Sequence, residues 1–211
     1  NEVLIIASAL EIRDVRDRPL EKQKEADEAH QRFAHDESDF MTLLNIWDFY
    51  HRQKEQLSRS KLKKACQQNF LSYNRLREWS DIRLQLADLV GQAGIRAGKR
   101  KDDYEAIHRA LLTGMLANVA NKSGSSGFEY TAAGSGQWNL WPGSCLFRKN
   151  PAWVAASELV ETSRRYLRTC AKIKPEWVEP IAGHLVKRTY GDAFFDARRG
   201  GDDGASAECG V

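Results

Sequence analysis

Chain breakers divide this chain into two regimes. Pro19 is the one proline ahead of Pro142, and no glycine precedes Gly91, whereas four of the five prolines and all the glycines fall after residue 90. Glycine and proline interrupt regular backbone, so the first hundred residues can run as helices, and the remainder must be built from short elements joined by turns. A length of 211 residues suits one large domain or two modest ones, and the change of regime favours two.

The first regime reads as a helical bundle. Val3 to Leu10 is an apolar helix end, stopped by the polar stretch 13–18 and Pro19. Leu20 to Phe33, rich in Glu, Lys, Gln and Ala, is expected to be an exposed helix. Asp36 or Ser38 can cap the next helix, whose Phe40, Leu43, Leu44 and Trp47 recur at the spacing of one buried face. Ser58 or Ser60 precedes a short basic helix with Leu62, Ala65, Cys66 and Phe70 inward. Leu76, Trp79, Ile82 or Arg83, Leu86 and Val90 form a longer stripe, with Gly91 placed to end it.

Residues 91–101 read as a basic linker. Asp102 or Asp103 then caps a helix, with Asp102 and Glu105 in capping-box spacing and Ile107, Leu111, Leu112 and Met115 apolar. After Asn121 the pattern changes to glycine-rich loops, 122–127 and 134–136, around short runs that read as strands: 128–131, 137–141, 153–162 and 166–173. These suit a small barrel. Pro175 sits at the first turn of a short helix. The expected fold is therefore α+β: a helical unit over 1–100, an OB-like β-barrel with a leading helix over 101–190, and a disordered end over 191–211.

Composition excludes several classes. Mean hydropathy is −0.58 and no apolar run approaches 18 residues, so no membrane span is expected. Cys66, Cys145, Cys170 and Cys209 are far apart and form no Cys-x-x-Cys pair. They read as reduced structural thiols in a cytoplasmic protein, with neither a metal site nor a disulfide framework. The chain opens on Asn1 with no basic leader, which suggests a stretch cut from something longer.

Some strings tempt a catalytic reading. Asp27-Glu28-Ala29-His30 is the tetrapeptide that names a class of helicases, yet the residues ahead of it form a solvated helix rather than the buried strand such chemistry needs. The run 94–99 has three residues between Gly94 and Gly98 where a phosphate loop has four, and Arg100 stands where a Mg²⁺-binding Ser or Thr is required. His30, His35, His51, His108 and His184 form no His-x-x-x-His pair, and Ser144 lacks the flanking glycines of a nucleophile elbow.

Charge is better organised than a net +3 suggests. Residues 11–39 carry ten acids against six bases, whereas Arg59, Lys61, Lys63 and Lys64, then Arg75 and Arg77, then Arg96, Lys99, Arg100 and Lys101 are basic clusters. Arg164, Arg165, Arg168, Lys172 and Lys174 follow beside Tyr166. Cations interleaved with an aromatic suit a single-stranded nucleic acid, although each cluster is equally readable as a solvated face.

Several strings together resemble a known family. The run Glu2 to Leu10, then Arg18-Pro19-Leu20-Glu21-Lys22 and Asp39-Phe40-x-x-Leu43-Leu44-Asn45-x-Trp47, is similar to the helical ratchet of DEAH-box ATP-dependent RNA helicases, most closely the bacterial HrpA type. The run from Phe70 to Trp79 with Asp81, Ile82, Gln85 and Leu86 resembles the next ratchet helix. Trp141 to Val154, Glu158 to Ser163 and Ala171 to Trp177 resemble the OB-fold that follows.

The resemblance, over about residues 1–199, implies an accessory region that forms part of a single-stranded RNA channel. RNA, or an RNA–DNA hybrid, would be held by Tyr73, Asn74, Arg75, Arg77, Ser144, Thr162, Arg164, Arg165, Arg168 and Lys172. RecA-like motor domains and a winged helix of the parent chain would be its partners and would carry ATP and Mg²⁺. This stretch would hold no cofactor and no catalytic residue, and alone it should be inactive. The alternative is a protein-interaction module that docks a regulator or the motor without binding RNA.

Overall fold

The computed structural model describes residues 1–123, 128–132 and 136–182, and the backbone of 187–190 and 207–210. Five helices come first: α1 (Glu2–Leu10), α2 (Gln23–Gln31) after a single 3₁₀ turn at Leu20–Lys22, α3 (Asp39–Gln56), α4 (Arg59–Gln68) and α5 (Tyr73–Gln92). Their order and spacing follow the apolar stripes of the sequence. Ser38 caps α3 by accepting from the Met41 N–H at 3.2 Å, whereas the Ser58 side chain makes no cap bond.

Gly91 does not terminate α5. The helix continues to Gln92, and the left-handed residue that ends it is Gly94, with φ of 75°. Likewise α6 (Tyr104–Leu112) is capped by Asp103, which accepts from Ala106 N–H at 3.1 Å. Asp102 instead adopts φ of 50° and pairs with Arg100.

Trp79 organises the helical core. It is fully buried, edge-on to Trp47 at 5.0 Å, and its indole N–H points at the Ile5 carbonyl (2.9 Å) and Ser8 Oγ (3.0 Å). Its apolar body gains the burial energy while its polar atom stays satisfied. Phe40, Leu44, Ile46 and Tyr50 of α3 and Leu76 of α5 complete this core, and α6 adds Ile107 and Leu111. The helix grouped by sequence with the barrel thus packs on the bundle as well.

The barrel has five strands: β1 (Val119–Lys122), β2 (Glu129–Ala132), β3 (Gln137–Leu140), β4 (Trp153–Glu161) and β5 (Arg165–Lys172). It closes in the order β1-β2-β3-β5-β4, antiparallel except for the β3–β5 pair. Closure removes every free edge. Leu140, Val154, Ala156, Leu167 and Cys170 pack in its core, the strand period of β5 being broken between Leu167 and Cys170 at Thr169. β1 was not expected from sequence: only four residues long and following directly on a 3₁₀ turn at Leu116–Asn118, it is a strand because β2 and β4 flank it.

After the barrel, α7 (Pro175–Ala182) packs Trp177 and Val178 against Leu112 and Ile173. β6 (Lys187–Tyr190) and β7 (Ala207–Gly210) form an antiparallel ribbon, so part of the end expected to be disordered is a strand. The rest of 191–211, and the expected loop tips at 124–127 and 134–135, lie outside the described residues.

Bundle and barrel meet along one short segment. Asp36 binds Lys149 at 2.6 Å, and Glu37 binds Lys172 both by its side chain (2.6 Å) and by its carbonyl, which accepts from the Lys172 N–H at 2.8 Å. Ser38 bridges to Ala171, and Asp39 accepts three hydrogen bonds from the barrel.

Candidate nucleic-acid interface

The outer face of β5 carries the aromatic and cationic groups that the barrel presents. Alternation puts Leu167 inside and Tyr166 and Arg168 outside. The parallel pairing of β3 with β5 brings Trp141, just past β3, beside them: its N–H donates to the Leu167 carbonyl at 3.0 Å. Tyr166 meets the Trp141 ring edge-on at 5.1 Å, and the Arg168 guanidinium lies over that ring at 5.3 Å. Gly143 lies against the indole so closely that a Cβ there would fall 3.1 Å from Trp141 Nε1.

Glu158, opposite Arg168 in the β4–β5 register, pairs with it at 3.0 Å and helps fix the guanidinium over the indole. Trp141 remains 38% exposed. A second rung repeats the motif: Arg165 sits over Trp138 at 5.7 Å and pairs with Glu161 at 3.2 Å. Stacked cation and aromatic pairs of this kind offer both charge and a π surface.

Trp141 and Arg168 open on a cleft of about 390 Å³ between barrel and bundle. The far wall is the end of α1 and the segment after it, including Ile12 and Arg16, and Leu43 lines the floor. Its lining holds more acids than bases: Glu11, Asp14, Asp39 and Glu158 stand against Arg16, which pairs with Asp14 at 2.7 Å, and Arg168, which pairs with Glu158. Thr169 on the barrel wall has φ of 51°, strained for a β-branched residue.

The other expected contacts divide into three groups. Thr162 and Arg164 lie in the exposed β4–β5 turn, where the Thr162 N–H donates to the Arg164 carbonyl at 2.9 Å. Ser144 and Lys172 are engaged in the seam. Ser144 is buried and its hydroxyl donates to Asp39 Oδ2 at 2.6 Å, while Lys172 is paired with Glu37. At the start of α5, Arg75 is tied to Asp17 (3.0 Å) and the Asp14 carbonyl (2.8 Å), whereas Asn74 and Arg77 are exposed. Tyr73 and Arg77 face a recess away from the barrel.

The tempting catalytic strings dissolve. Asp27 to His30 lie on α2, with Asp27 held by Arg18 at 2.6 Å and His30 Nε2 2.9 Å from the Phe70 carbonyl. Burial pushes the Cys66 thiol up to about 11, and the Cys145 and Cys170 thiols rise for the same reason. All three are inert at neutral pH. Among the described residues no His, Cys, Asp or Glu cluster could hold a metal, and no helix is long and apolar enough to cross a membrane.

A helical scaffold clamped to a small closed five-stranded barrel, with arginines of β5 stacked on Trp138 of β3 and on Trp141 just past it, defines the class: a helical unit joined to an OB-type barrel. The family model of the oligonucleotide/oligosaccharide-binding (OB) fold matches residues 107–185. Over 199 residues, 94% of its length, the chain is 44% identical to the ATP-dependent RNA helicase HrpA of Escherichia coli (strain K12). It is 42% identical over the same share to the HrpA homologue of Haemophilus influenzae. It is also 30% identical, over 88% of its length, to the pre-mRNA-splicing factor ATP-dependent RNA helicase prp22 of Schizosaccharomyces pombe. The chain belongs to the DEAH-box ATP-dependent RNA helicase family, HrpA type, and spans 15% of the length of each of these relatives.

Proposed function

We propose that this chain is the RNA-binding accessory part of an ATP-dependent RNA helicase, forming one wall of a single-stranded RNA channel beside RecA-like motor domains and a winged helix. The supporting observation is the Trp141, Tyr166 and Arg168 cluster at the mouth of the cleft between barrel and bundle. Arginines in the β4–β5 turn would carry backbone affinity, and the indole would supply a stacking surface that tolerates any base. A motor that moves a strand needs a wall that does not yield, which the Asp36–Asp39 clamp provides. ATP and Mg²⁺ would act in the motor, and the protein would work in the cytoplasm.

Titrating a labelled single-stranded RNA against this chain at several salt concentrations tests the reading. Affinity should fall linearly on a log–log salt plot, and Trp141→Ala should cost about 1–3 kcal/mol of binding. An unchanged chain that fails to bind at low salt, or binds without salt dependence, would overturn it.

A second reading, a module that docks a protein partner, is favoured by the far half of α5, where Leu84 (59%), Leu89 (58%) and nearby Ile95 (61%) are exposed. Under that reading Arg164→Glu with Arg168→Glu leaves RNA affinity unchanged, and Leu84→Glu with Leu89→Glu on α5 weakens association with a motor fragment.

A further inference from the structure

The cleft between barrel and bundle has two unlike sides. Its mouth presents Trp141 with Arg168 stacked on it, whereas its lining also holds Glu11, Asp14, Asp39 and Glu158. Both arginines of the cleft are already neutralised, Arg16 by Asp14 at 2.7 Å and Arg168 by Glu158 at 3.0 Å. A phosphate would therefore meet a lining with surplus negative charge, which repels it. A strand whose backbone follows the arginines of the exposed β4–β5 turn can enter this cleft only with a base.

Two observations single out Glu11, at the end of α1 on the far wall. First, it is the acid of the cleft left open. Asp39 accepts three hydrogen bonds from the barrel, and Asp14 and Glu158 are held by their arginines. Among the described residues the exposed Glu11 side chain has neither a hydrogen bond nor an ion pair.

Second, α1 does not gain from a carboxylate there. Glu11 is the C-cap of that helix, whose last turn carries no basic residue. The C-terminal end of a helix is its electronegative end, where an anion is disfavoured. Departures from local preference of this kind collect at functional sites.

We propose that the cleft takes one base of the strand and selects guanine, with Glu11 as the residue that decides. The base lies against the Trp141 and Arg168 pair at the mouth and turns its Watson–Crick edge to the far wall. Guanine carries two adjacent donors on that edge, N1–H and the 2-amino group, which match the two oxygens of one carboxylate. Adenine and cytosine offer a single amino group beside an acceptor, and uracil one N–H between two carbonyls that a carboxylate repels. The inference rests on the RNA-binding reading and adds base selectivity to it: the indole tolerates any base, and the acid on the far wall does not.

The test uses the full chain and labelled strands of roughly a dozen nucleotides, one all uridine and one with a single central guanosine. The unchanged chain should bind the guanosine strand about tenfold more tightly. Inosine in place of guanosine lacks the 2-amino group and should weaken that binding about threefold. Glu11→Ala should abolish the preference while binding the uridine strand at least as tightly as before, since it removes a negative charge from the lining. Glu11 is exposed and sits at the unfavourable end of its helix, so the urea midpoint of the variant should not fall.

Equal affinity of the unchanged chain for the uridine and guanosine strands would overturn the selectivity and leave the RNA-binding reading standing. A preference for guanosine that survives in Glu11→Ala would overturn the assignment to Glu11. If the unchanged chain binds neither strand, the selectivity and the RNA-binding reading fall together.

Discussion

Asp39, the first residue of α3, accepts a hydrogen bond from Ser144 of the barrel at 2.6 Å across 105 residues of chain. The same carboxylate accepts from the backbone N–H of Cys145 (2.9 Å) and of Cys170 (2.8 Å). One side chain thus satisfies three donors in the seam. It also sits at the N-terminus of α3, where the helix dipole favours a negative charge.

Removing that carboxylate should loosen the seam rather than the helices. Asp39→Ala removes the acceptor of three donors, the Ser144 hydroxyl and the backbone N–H groups of Cys145 and Cys170, at about 1–3 kcal/mol each before relaxation. A net loss of about 3–5 kcal/mol is expected, read as a lower urea midpoint. Fast amide exchange confined to 141–146 and 168–172 would place the damage at the seam. An unchanged midpoint would show that the barrel is held elsewhere.

His108 predicts a pH dependence with a definite sign. Its Nδ1 lies 2.6 Å from the Tyr104 carbonyl, an acceptor, so Nδ1 carries the proton and Nε2 accepts from Ser38 at 2.7 Å. Burial lowers its pKa from 6.5 to about 4, keeping the ring neutral. As pH falls the unfolded chain takes a proton first, so the stability contributed by neutral His108 is whole above about 6.5 and lost progressively towards 4. The full loss is about 3 kcal/mol. Urea midpoints between pH 7 and 4 should show this decline, and His108→Gln should flatten it.

Glu2 acts in a lower window. Burial by itself would raise its pKa, but the backbone N–H groups of Lys101 (2.6 Å) and Asp102 (3.1 Å) donate to its carboxylate and bring it from 4.5 down to about 2. A depressed acid contributes stability above its unfolded pKa and loses it as pH falls from 4.5 towards 2. Glu2→Gln should remove that decline and release the segment before α6, seen as faster exchange of the Lys101 and Asp102 amides at neutral pH. Slow exchange in the variant would show that Arg100, bound to Asp48 and Asp102, holds the segment unaided.

Much of the fold was legible in the chain. The stripes containing Leu44, Trp47, Leu76 and Trp79 marked the bundle helices, and four of the five barrel strands stood out as short alternating runs between glycines and prolines. The interface was less so. Arg164, Arg165 and Arg168 could be picked out by charge next to Tyr166, yet Trp141 was not, since only the parallel β3–β5 pairing brings it under Arg168. Ser144 and Lys172 read as polar contacts for RNA, but packing buries Ser144 against Asp39 and ties the exposed Lys172 to Glu37.

What the sequence determined by itself was local. Helix and strand periods, caps and breakers act over a few residues, and a side chain's neighbours along one element are set by its position. What only the tertiary structure decided was the pairing of groups far apart in the chain: Asp39 with Ser144, His108 with Ser38, and Trp141 with Arg168. Such pairings depend on how bundle and barrel pack. Because a buried polar group must find a partner or carry a cost, that packing also decides which polar residues are structural and which are left to bind.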